Sequence, residues 1–150
     1  MIRLRVFNKG DIVMLGLITL IMLGAFSLLY ISKSIATKPD FINKILKFIT
    51  DNIEMIALIG VIYGIVAAIL TPIASLSSTE MLIRFIANLL LVVLALPYTF
   101  DRLVVKYGHK MNSAITEEVR ALINRITGLE KIFGIIGCVV TVLLFAVLFR

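Results

Sequence analysis

The sequence predicts an all-α integral membrane protein: four transmembrane helices, with short interfacial amphipathic helices near 40–51 and 114–128. Three observations carry this. The 150 residues are 61% hydrophobic with a mean hydropathy of +1.10, outside the range of soluble globular domains. Four apolar runs, near 11–32, 53–71, 81–100 and 131–149, are each long enough to cross a bilayer core of about 30 Å at helical rise. The two stretches between them, on either side of the central pair, repeat their apolar residues at helical spacing. The spans leave no room for a separate soluble domain, so residues 1–150 read as one unit.

The central pair is a helical hairpin. From Ile53 to Leu70 the ionisable side chains are Glu54, in the first turn, and Tyr63. Thr71-Pro72 stops the run, because proline cannot continue the hydrogen-bond ladder and disfavours helix in the residue before it. After the TPIASLSSTE turn, Met81 to Phe100 is equally apolar apart from Arg84 and Asn88. Small residues Ala57, Gly60, Gly64 and Ala68 share one face of the first of these helices, with Gly60 and Gly64 forming GxxxG. Lipid tails are as apolar as leucine, so membrane helices associate by close backbone approach, which such a face permits. The groove takes either another helix of this chain or a different subunit. Asn88 is level with Gly64, counting from the turn; an amide in hydrocarbon needs partners, which places it at a helix interface.

In chain order, Asp11 caps a helix whose apolar body runs from Ile12 to Ile31. Its basic flank imitates a secretory signal, but the core is longer than a signal core, which predicts a retained span. Gly16 and Gly24 share a face there. In the next segment Phe41, Ile42, Ile45, Phe48 and Ile49 fall opposite Asn43, Lys44, Lys47 and Asp51. That helix is too short and charged to span, so it lies in the interface, on a neighbour, or as an ordered connector. The character changes again at Pro97-Tyr98, and Asp101 to Lys131 holds the main polar segment. Within it Ile115, Val119, Leu122, Ile123, Ile126 and Leu129 recur at spacings of three and four, an apolar stripe for docking on the interface or a partner. Gly128 ends or bends this helix. The last run carries Gly134, Cys138 and Thr141 on nearly one face and ends at Arg150.

The net charge of +6 is read as topology and headgroup attraction, which makes anionic lipid a partner and nucleic acid not one. Ten Lys and Arg lie on one side of the predicted membrane, four in 32–52 and six in 101–131; the other side has Arg3, Arg5, Lys9, Arg84 and Arg150. The positive-inside rule therefore favours termini facing out, against the vote of the three charges flanking the first span.

Reactive chemistry is sparse. No Asp, Glu, Lys or His lies mid-span, where proton or ion coupling would need one. His109 is in a polar segment, Cys138 has no disulfide partner, and neither sits in a metal-ligand spacing, so no metal or cofactor is expected. Adjacent Glu117 and Glu118 point different ways on a helix, a poor acid–base pair. The expectation is a non-enzymatic small subunit of a larger membrane complex, packing against other membrane protein subunits. The alternatives are a homo-oligomeric channel, pore former or holin-like protein, and a lipid-binding membrane-remodelling factor. The expected address is a bacterial cytoplasmic membrane.

Overall fold

A computed structural model of the chain describes residues 9–70, 78–107, 110 and 113–150. Among the described residues six helices follow in order: α1 (Lys9–Ser32), α2 (Asp40–Asp51), α3 (Ile53–Leu70), α4 (Thr79–Tyr107), α5 (Ser113–Gly128) and α6 (Glu130–Leu148). No strand occurs among the described residues. Among the described residues four helices contain segments long and apolar enough to cross a membrane: Val13–Ser32, Ile53–Leu70, Thr79–Asp101 and Glu130–Leu148. The turn residues 71–77 and His109 lie outside the described residues.

The third apolar segment ends at Asp101, and the helix that holds it, α4, carries Pro97 in its interior and continues to Tyr107. Proline removes the N–H that would bond four residues back and crowds that carbonyl, loosening the preceding turn, and a neighbouring helix can satisfy the freed groups. In the turn before the proline Tyr30 of α1 donates its hydroxyl to the Leu94 carbonyl at 2.9 Å, one residue on from the Val93 carbonyl that proline leaves without its N–H partner.

The four long helices run alternately up and down. α3 packs chiefly on α4 and α6 chiefly on α1, while α1 and α4 meet in the centre. The inward faces follow helical spacing: Thr19, Leu23, Phe26 and Tyr30 on α1, and Ala87, Leu91, Leu94 and Ala95 on α4, are all buried. Around them the outward faces stay apolar, with Ile59, Ile62 and Ile69 of α3 and Ile135, Val139 and Val142 of α6 exposed.

Both amphipathic helices form, and a single residue separates each from the long helix that follows. Asn52 closes α2, its amide donating to the Phe48 carbonyl at 2.9 Å, and α3 begins at the next residue. Leu46 and Ile49 of α2 are buried against Leu29 of α1. Leu129 is the corner between α5 and α6; no glycine among the described residues has positive φ, so Gly128 ends α5 without a left-handed cap.

Candidate functional site

Glycines set the helix spacing on two seams. On the first, a Cβ added to Gly64 would meet the Asn88 carbonyl oxygen at 3.0 Å and Val92 Cγ2 at 2.7 Å, so α3 lies directly on the backbone of α4. Gly60 faces both neighbours, its added Cβ falling 3.3 Å from Phe26 of α1 and 3.4 Å from Ala95 of α4. The GxxxG groove is thus filled by helices of this chain. Ala57 is fully buried in the same core. At the far end of the face the buried residue is Ala67, and Ala68 is only half-buried: the helix turns about 100° per residue, so the inward row steps from Gly64 by three and not by four.

The second seam joins α1 to α6. Gly134 abuts Tyr30 and Ile31, Gly137 abuts Ser27, Thr141 faces Gly24, and Leu148 covers Gly16, the pairs advancing in opposite directions along the two helices. Cys138 is half-buried beside this seam, and Gly137, its neighbour, makes the close approach. The spacing Gly134-to-Gly137 was the signal for this, since only a residue without a Cβ admits the Ser27 side chain. Ser27 Oγ is buried there with no hydrogen-bond partner among the described residues.

At mid-bundle three helices share a polar knot. Thr19 of α1 has its hydroxyl oxygen 2.8 Å from Asn88 Oδ1 of α4, 3.0 Å from the Leu15 carbonyl and 3.4 Å from the Tyr63 hydroxyl of α3. Tyr63 donates to the Leu15 carbonyl. Asn88 is 5% exposed, so its amide oxygen accepts inside the protein, from a hydroxyl and not from solvent. A lone threonine in an apolar run gives no sequence signal of such a role.

At the end of the bundle where α1 stops and α3 and α6 begin, Lys33 bonds Glu130 at 2.8 Å and sits 5.6 Å from the Tyr30 ring centre and 5.8 Å from that of Tyr98. Burial works against the Lys33 ammonium, but its bond to Glu130 and the nearness of Tyr98 leave it above the ordinary lysine range. Beside this cluster a cleft of about 370 Å³ opens between the end of α1, α2, the start of α3 and Tyr98. Its lining includes Lys33, Lys38 and Lys47 with Asn43 and Thr50, over Leu29, Leu46 and Ile53.

No protein-family model, curated protein or solved structure matches the chain.

Of the stripe on α5, Ile123 and Ile126 are buried on the chain's own helices, Val119 is half-buried, and Ile115, Leu122 and Leu129 remain exposed. The stripe is therefore split, one row docked on the bundle and one open. Among the described residues no group of three or more His, Cys, Asp or Glu could hold a metal ion. What the geometry offers is packing surface, an interhelical polar knot and a lysine-lined cleft.

Proposed function

We propose that the four long helices cross a membrane, that of a bacterial cytoplasm in this reading, and that the chain is a non-enzymatic accessory subunit of a larger membrane assembly. Apolar outer faces on α3 and α6 support the first part, since exposed rows of isoleucine and valine are tolerated against lipid and costly against water. The glycine seams do not supply partner surface, because α1 and α4 fill them. The observation that carries the second part is the open row of α5 and the corner after it: Ile115 is 55% exposed, Leu122 50% and Leu129, at the corner, 46%, beside an apolar row of α5 that is already seated. Bulky apolar side chains held outward by a docked helix are a surface for another subunit.

Gentle solubilisation followed by sizing tests this. A particle substantially larger than one chain in its detergent shell is expected, reduced in size by Ile115→Ser with Leu122→Ser, neither of which touches the core. A monodisperse single chain in the mildest detergents would overturn the reading.

A further inference from the structure

We propose that the cleft between α1, α2 and α3 binds one anionic phospholipid, its phosphate held by Lys38 and Lys47 and the start of its acyl chains lying on Leu29, Leu46 and Ile53. The inference rests on the reading that the long helices cross a membrane.

Four observations carry it. The first is depth. The cleft is where the apolar segments run out: Ser32 ends the first, Ile53 begins the second, and Tyr98 stands three residues before the end of the third. In a bilayer this is the level of the headgroups, where aromatic and basic side chains concentrate. The second is uncommitted charge. Lys33 is already compensated by Glu130, whereas Lys38 and Lys47 make no ion pair among the described residues. Two unmatched ammonium groups on one cleft attract an anion, each worth about fivefold in binding near an anionic surface. The third is the floor. Leu46 is 8% exposed and Leu29 8%, so the cleft bottoms on packed hydrocarbon, which suits a ligand with a tail and not a bare anion. The fourth is size and polar complement. A cleft of about 370 Å³ falls within the range of small-molecule sites, and beside the lysines the Asn43 amide, which gives one hydrogen to the Lys38 carbonyl, keeps a second for an anion, while Thr50 donates to Leu46 within its own helix.

The lysine pair on α2 also explains a placement that amphipathicity alone does not. Lys44 and Lys47 both lie on this helix, but only Lys47 lines the cleft. That separates held phosphate from diffuse attraction and supplies the control.

The test uses the full chain, purified in detergent and exchanged into bicelles of phosphatidylcholine alone or with a minor fraction of phosphatidylglycerol. Lipid retained by the protein is counted by native mass spectrometry, and thermal stability is measured in parallel. Retention of one phosphatidylglycerol is expected, weakened about tenfold or more by Lys38→Gln with Lys47→Gln and unchanged by Lys44→Gln with Arg120→Gln, which removes equal charge outside the cleft. Equal loss in both pairs would reduce the effect to surface charge and overturn the site. Inorganic phosphate displacing the lipid at a comparable concentration would overturn the phospholipid assignment. A chain that stays dissolved without detergent sinks the membrane reading itself; one that needs detergent yet retains no anionic lipid sinks only the cleft.

Discussion

Thr19 and Asn88 face each other across the α1–α4 interface at 2.8 Å, hydroxyl to side-chain oxygen, with the Tyr63 hydroxyl 3.4 Å from the same threonine oxygen. Thr19 thereby ties α1 to α4, and Tyr63, donating to the Leu15 carbonyl, ties α3 to α1. Thr19→Val and Asn88→Leu should each lower stability by roughly 1 kcal/mol, with a coupling of about 0.6 to 1.7 kcal/mol between them, the range for hydrogen bonds between membrane helices. A double-mutant cycle in detergent unfolding measures it; full additivity would mean that the two side chains do not interact.

The α1–α6 seam makes a sharper claim. Gly137→Ala drives a methyl group into Ser27, and the helices must part, at a cost of about 1 to 3 kcal/mol. Gly128→Ala, in open space, should be neutral or slightly stabilising. Adding Ser27→Gly to Gly137→Ala should recover part of the loss, because it removes the atoms the new methyl meets. Thermal melts of the four proteins decide it.

Lys33 gives a pH signature. Its pKa is raised, so its pairing with Glu130 contributes fully below the ordinary lysine value and is lost as pH climbs through the raised one. Lys33→Met should melt below the parent at neutral pH, by no more than about 1 kcal/mol because the pair is partly exposed. The gap should narrow in alkali. A constant difference across that window would assign the effect to packing alone.

Substitutions on α5 should divide by row. Ile123→Asn and Ile126→Asn bury an amide against α4 and α6 and should destabilise by about 2 kcal/mol. Leu122→Ser should leave the melting temperature nearly unchanged. Limited proteolysis near residues 113–128 reads the same contrast locally.

Element existence was legible because it is written in long-range composition: each apolar run has the length of a bilayer crossing, and the stripes of α2 and α5 repeat at helical period. Side-chain partners were legible only where a residue type is costly unless partnered, as with Asn88 and the Gly60–Gly64 face. Gly137 was passed over for Cys138 because two neighbouring small residues differ by one helical step, and the choice between them depends on where α1 sits. The bond from the Tyr30 hydroxyl to the Leu94 carbonyl, in the turn before Pro97, was illegible for a related reason, since it depends on where α1 lies against α4. The cleft lysines come from three separate elements, the end of α1, the link to α2 and α2 itself, and no linear pattern announces their meeting.

The pairing of α1 with α6 has a consequence for biogenesis. α1 leaves the ribosome long before its principal neighbour exists, so during synthesis its serine and its glycines must wait, shielded by lipid or by insertion machinery, while α3 and α4 are threaded. Nascent chains stalled ahead of Glu130 should therefore crosslink through Ser27 to whatever guards them, and release of α6 should end that protection.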